Sequence, residues 1–201
     1  MASQVAHIIY ADRYFKKYHA KFNRDEFMLG CIFPDIRRID VRLKRADTHL
    51  CFEPVDLNFQ GMSSFNAGWK FHVYCDMRRE EILAKYGFYD FPGAADFWHI
   101  PSKLFEDEVL YSQFNNWEKL VNLCNNPPRL NRLVSHETWE LWYAINARYF
   151  EKKPNSQTMR ALISKFPKLA SIAKDVSRVV DKLRKDKRVA EILEKVEEKV
   201  V

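Results

Sequence analysis

The chain has 201 residues, 47% of them hydrophobic and 14% aromatic, which fits one domain with a sizeable core and excludes a disordered polypeptide. Only five glycines and eight prolines interrupt it, so long helices are expected in place of many short strands. The net charge of +6 resides in the tail: residues 151–201 carry 14 basic and 8 acidic side chains, whereas residues 1–150 carry 19 of each.

The four cysteines (Cys31, Cys51, Cys75, Cys124) form no C-x-x-C pair and no dense framework, and read as reduced thiols. The opening MASQVAHIIYADRYFKK has no basic leader, apolar run and cleavage site in sequence, so no secretory signal is expected and the cytoplasm is the expected compartment. No apolar run approaches the length of a membrane span.

Residues 4–18 place Val5, Ile8, Ile9, Tyr14, Phe15 and Tyr18 on a helical stripe, with Ser3 at the N-cap position. His7 lies early in that helix, where a satisfied core histidine is the commoner outcome. A second helix begins at Asn23 and is expected to stop at Gly30. Pro34 should then break the helix and hold Phe33 extended, so that Asp35 leaves a turn. An Arg-rich loop (Arg37, Arg38, Arg42, Arg45) follows and closes at Thr48–His49. It reads as a solvated surface loop or as a loop bearing ligands.

Residues 60–86 form the longest predicted helix, ended by Gly87, and its middle, FNAGWKFHVYCD, sets His72 and Asp76 four apart on one face. Such a pair can ligate one divalent ion, although many helices carry His-x-x-x-Asp by chance. Ala67 and Gly68 allow another segment to approach closely. An aromatic loop follows, containing His99, and then a helix over 104–122 whose acids Glu106, Asp107 and Glu108 sit in the first turn, where the helix dipole favours them. Residues 129–150 form an aromatic helix with a second i, i+4 pair, His136 and Glu140, which reads equally as exposed helix charge.

Residues 152–155 mark a boundary between a helical metal-binding domain, 1–150, and a basic amphipathic helical extension, 151–201. In the extension Ile172, Val176, Val179, Val180 and Leu183 make a stripe that Leu193, Val196 and Val200 resume, opposite Lys174, Arg178, Lys182, Lys185 and Arg188. The stripe fits a helix packed on the body; the basic face fits nucleic acid or an anionic membrane surface.

The ordered set AHIIYA, FMLGCIFPD, RADTH and AGWKFHVYCD, followed by His136-x-x-x-Glu140, resembles the zinc-dependent phospholipase C and single-strand-specific nuclease superfamily over roughly residues 4–145. The resemblance implies an all-α, multi-helix bundle with a zinc cluster, to which an additional C-terminal helical segment is joined here. It implies that Asp35, His49, His72 and Asp76 hold a first zinc, that the aspartates bridge to a second joined by His7, and that His136 and Glu140 belong to a third. One or two ions are the expectation, three the upper limit. Metal-activated water would then hydrolyse a phosphodiester or phospholipid, with Asp35 and Asp76 as the catalytic carboxylates. The further histidine expected between the two helical pairs has no counterpart at the usual distance, His99 lying farther on. Two other readings remain open. One is a non-catalytic module whose basic C-terminal helices bind nucleic acid or an anionic surface; the other is a hydrolase on nucleic acid, with Trp69, Tyr74 and Trp98 stacking on bases.

Overall fold

The structure, a computed structural model, describes residues 3–49 and 52–201. Among the described residues it is all-helical, with ten α-helices and four short 3₁₀ segments. None of the helices is long and apolar enough to cross a membrane. Cys31, Cys75 and Cys124 are buried free thiols, and Cys51 lies outside the described residues.

Helix α1 (Gln4–Tyr18) spans the residues its apolar stripe predicts. Helix α2 (Arg24–Ile32) is capped by the Asn23 side chain, which accepts from the Glu26 N–H. It does not stop at Gly30. It runs on into a 3₁₀ segment over Phe33–Arg38, with Phe33 still right-handed at φ −60° and ψ −43°. Pro34 therefore makes no break: it stands in the first turn of that segment, where its missing N–H and fixed φ are tolerated. A single turn, α3 (Ala46–His49), closes the Arg-rich loop.

Helix α4 (Ser64–Lys85) is the longest, with 22 residues, capped by Ser63 and followed by Gly87 at φ 59°. Where it crosses α2 the two backbones touch. A Cβ on Gly30 would lie 2.1 Å from the Phe65 carbonyl oxygen, and one on Gly68 would lie 2.1 Å from the Phe27 carbonyl oxygen. Both obstacles are main chain, so no rotamer change relieves them. The close approach expected at Gly68 is therefore made by α2, and Gly30 is its reciprocal contact point.

Helix α5 (Asp96–Leu110) is right-handed only after a run of three residues with positive φ, Phe97, Trp98 and His99 at 47°, 57° and 65°. The continuous helix expected over 104–122 is broken. A 3₁₀ turn over Tyr111–Gln113 and an extended Phe114 precede α6 (Trp117–Asn125). The reason is tertiary: the Trp117 ring stacks on Tyr111 at 4.5 Å, and its Nε1 donates to the Tyr111 carbonyl at 2.9 Å. Glu106 and Asp107 are fully buried, not solvated first-turn acids. Glu106 accepts from Tyr10 and, at 2.6 Å, from Arg79 Nε. Asp107 accepts the Ala6 N–H at 2.9 Å, doing for α1 what Ser3 does not.

Helix α7 (His136–Phe150) starts at the Ser135 cap, after an irregular approach over residues 129–135. Its indole and phenol take carbonyls at the end of α2: Trp142 Nε1 donates to Ile32 at 3.1 Å, and Tyr143 donates to Leu29 at 2.9 Å. Helices α8 (Ser156–Ile163), α9 (Ala173–Leu183) and α10 (Lys187–Val200) complete the chain. Their stripe residues Val176, Val180, Leu183, Leu193, Val196 and Val200 belong to the same apolar core as Ile8, Phe71 and Leu104. Arg13 pairs with Glu197 across α1 and α10, and Lys17 donates to the Val201 carbonyl. Residues 151–201 thus pack on the body along one face.

Two predictions follow from this packing. Gly68→Ala should lower unfolding free energy by about 3 kcal/mol in a denaturant titration, because backbone must move. Burial, with Glu106 adding to it, pushes the Asp107 carboxyl up to about 7, so the folded protein keeps a proton that the unfolded chain has lost. Stability should then decline by up to about 1.4 kcal/mol per pH unit between about pH 4 and pH 7. Asp107→Asn keeps an acceptor for Ala6 and removes the charge. Its melting temperature should exceed the wild type's at pH 8, with the gap closing by pH 4.

Candidate metal centre

Five of the seven expected ligands meet at one point. His7 comes from α1, Asp35 from the 3₁₀ segment, His49 from the end of α3, and His72 and Asp76 from α4. None is more than 3% exposed. His72 Nε2 lies 3.3 Å from His49 Nε2, and both nitrogens lie 3.6 Å from Asp76 Oδ2. Asp35 Oδ1 is 4.0 Å from His49 Nε2. Donors about 2.1 Å from one tetrahedral ion stand about 3.4 Å from each other. His49, His72 and Asp76 therefore stand near the spacing that one divalent ion requires, with Asp35 somewhat farther off. His7 Nε2 approaches the other carboxylate oxygen, Asp76 Oδ1, at 3.4 Å. Two overlapping donor groups result, His7–His72–Asp76 and Asp35–His49–His72, each with its atoms within 4.8 Å of one another.

The chain orients these side chains from behind. In a 3₁₀ register the Cys31 carbonyl would accept from residue 34, but Pro34 has no N–H to give. His72 Nδ1 takes that carbonyl at 2.7 Å, which fixes its proton on Nδ1 and leaves the Nε2 lone pair facing the cluster. His49 Nδ1 faces the Thr48 hydroxyl at 2.8 Å, and Gln4 Nε2 donates to Asp35 Oδ2 at 2.9 Å. Trp69 Nε1 donates to the Thr48 carbonyl at 2.6 Å and so braces the turn that carries His49. His7 stacks on His72 with ring centroids 3.8 Å apart, and neither of its nitrogens makes a hydrogen bond. A fully buried imidazole with both nitrogens unsatisfied is costly unless another group supplies the missing bond.

The charge states suit a cation. Burial holds the His49 imidazole down to about 4 against the pull of Asp35 and Asp76, and burial with His7 beside it holds His72 well below the usual range. Burial alone would raise Asp35, but the Arg38 and Arg37 guanidiniums overturn it and keep the carboxyl ionised. Asp76 is likewise held low against its burial. Neutral imidazoles beside ionised carboxylates are the protonation state that metal binding requires.

The other predicted residues lie elsewhere. His136 and Glu140 pair with each other at 3.3 Å, with side chains 62% and 57% exposed, and join neither donor group. Helix α7 turns its aromatic face, Trp139, Trp142 and Tyr143, to the core and so directs this pair to solvent. His99 sits against Tyr89, its Nδ1 3.9 Å from Glu80, and also joins neither group. Of the residues named for base stacking, Trp69 is engaged as described and Trp98 is 70% exposed. Arg37 and Arg38 are not solvated loop charges: Arg38 Nε is 3.3 Å and Arg37 3.7 Å from Asp35 Oδ1. Gln4 and the Cys31 carbonyl went unsignalled in the sequence, except that Gln4 precedes His7 by three residues, one helical turn. Arg38 and Thr48 stood in the loop read as solvated or ligand-bearing, with nothing to single out their contacts with Asp35 and His49.

Comparison with models of known protein families, with curated proteins and with solved structures gives no match to this chain. The geometry alone therefore carries the functional argument.

The placement of the two pairs makes a direct test. His72→Ala should abolish zinc retention measured by elemental analysis after dialysis. The double variant His136→Ala, Glu140→Ala should retain zinc like the wild type, with stability unchanged to within about 0.5 kcal/mol.

Proposed function

We propose that the chain is a metal-dependent phosphoesterase of the zinc phospholipase C and single-strand nuclease type, hydrolysing phosphodiesters. The observation that carries this reading is the convergence of His7, Asp35, His49, His72 and Asp76 into two overlapping donor groups, with both nitrogens of His7 left without a hydrogen bond. Asp35, His49, His72 and Asp76 would hold one zinc, and His7 with the second oxygen of Asp76 would hold another. Zinc bound there would supply a water of lowered pKa and a Lewis acid for a phosphoryl oxygen.

The protein's own groups do the rest. Asp76 sets one oxygen 3.4 Å from His7 and the other 3.6 Å from His49, and His72 belongs to both donor groups, so these two residues link the halves of the site. The Cys31 carbonyl and the Thr48 hydroxyl hold the imidazoles in place, so little reorganisation is needed when charge develops. Arg37 and Arg38 bring positive charge to the Asp35 side, which favours an anionic substrate.

The alternative, a binding module acting through the basic C-terminal helices, draws on less. Two of the five basic side chains on that face are internally paired, Arg178 with Asp175 and Arg188 with Asp186, and the adjacent Arg184 pairs with Glu108 and Asp181.

Metal analysis together with hydrolysis of a phosphodiester panel tests the proposal. Zinc- or manganese-loaded wild type should hold one or two ions per chain and turn over an aryl phosphodiester, with Asp76→Asn slower by about 100-fold or more. Wild type that takes up neither metal and hydrolyses nothing would end this reading.

A further inference from the structure

We infer that Lys103 and Arg38 form an oxyanion site, for a phosphate group, on the wall of a narrow cleft that opens beside Asp35. Lys103 projects from α5 and is only 5% exposed. Among the described residues no carboxylate lies within ion-pair distance of it, and its one hydrogen bond is to the Trp98 carbonyl at 3.2 Å. An ammonium carries three donors, so two are left over in a place that water scarcely reaches. A buried cation without a counter-ion is among the costliest arrangements a fold can hold.

The cleft explains what it faces. Asp35, Arg38 and Lys103 make its polar side, and Ile100, Leu162 and Phe166 make its apolar side. Arg38 stands over the Phe166 ring with 5.7 Å to the centroid, and its Nε is 3.3 Å from Asp35 Oδ1. Lys103 and Arg38 repel one another, and Asp35 is already engaged by Gln4, Arg37 and Arg38. This pocket therefore has more positive charge than its own carboxylate neutralises. A tetrahedral oxyanion seated between the ammonium and the guanidinium would receive charge-assisted hydrogen bonds from both. Its position beside Asp35 also sets it next to the candidate metal centre. Helix α8, which supplies Leu162, thus becomes part of a ligand site and not only a cover for the core.

That the anion is a reacting phosphate rests on the phosphoesterase reading; that an anion binds at Lys103 does not. The probe is inorganic phosphate, titrated calorimetrically into EDTA-treated and zinc-loaded protein. EDTA-treated wild type should bind phosphate, Lys103→Met should weaken binding by about tenfold or more, and Lys103→Arg should recover most of the loss. Without phosphate, Lys103→Met should melt above the wild type, because a buried unpaired charge is gone. Equal phosphate affinity in wild type and Lys103→Met would overturn the inference. So would a lower melting temperature for Lys103→Met, which would make the lysine structural, or wild type that binds no phosphate with or without zinc. Phosphate binding that depends on Lys103 in a protein that takes up no zinc would sustain the oxyanion site and remove the phosphoesterase reading. Normal zinc uptake and hydrolysis with phosphate binding indifferent to Lys103 would do the reverse.

Discussion

The contact on which the structure depends is the main-chain crossing of α2 and α4 at Gly30 and Gly68. Each glycine lies against a carbonyl oxygen of the other helix, 2.1 Å from where a Cβ would stand. The crossing brings the end of α2 within a hydrogen bond of His72. From there the 3₁₀ segment carries Asp35 to the same place. Side chains between the helices would hold them farther apart, and ligands as short as aspartate and histidine would no longer meet. A packing constraint between backbones is thereby converted into a distance between donor atoms.

Around that point the interior is unusually polar, and its charges are ordered. Arg79 lies three residues beyond Asp76 on α4 and is fully buried, held by Glu106, which Tyr10 also engages. Glu106 and Tyr10 more than offset the burial of the guanidinium and keep it charged. A buried ion pair of this kind adds little net stability but fixes geometry when every donor finds a partner. Arg79 and Glu106 compensate each other's charge, with Arg79 Nη2 alone left without a hydrogen bond, whereas both nitrogens of His7 and most of the Lys103 ammonium find no hydrogen-bond partner among the described residues. The contrast is what makes the region of His7 and Lys103 a candidate for ligands.

Much of this was legible in the sequence because it depended on residue type and period. The bounds of α1 followed from its apolar stripe, and α4 fell within a few residues of the span expected over 60–86, its C-terminal end set by Gly87. The order of histidines and aspartates along the chain anticipated that His7, Asp35, His49, His72 and Asp76 would come together. What remained hidden depended on partners distant in the chain. Gly30 looked like a stop because a glycine's need for close approach is invisible until its neighbour is known. The interruption after Leu110 needed the Trp117–Tyr111 stack, and the burial of Asp107 needed the open N–H of Ala6. The spacing of His136 and Glu140 set them on one face but could not say which way the face points. The larger apolar face of Trp139, Trp142 and Tyr143 decided that.

The near-total burial of the five convergent side chains has a consequence for time scales. Solvent reaches each of them over 3% of its surface at most. A dication in such a place exchanges no faster than the surrounding helices open locally, whatever its equilibrium affinity. Loading and loss are then governed by barrier crossing, and a preparation that has met the wrong metal keeps it. Any metal bound there would record what was present when the helices closed as much as what the donors prefer.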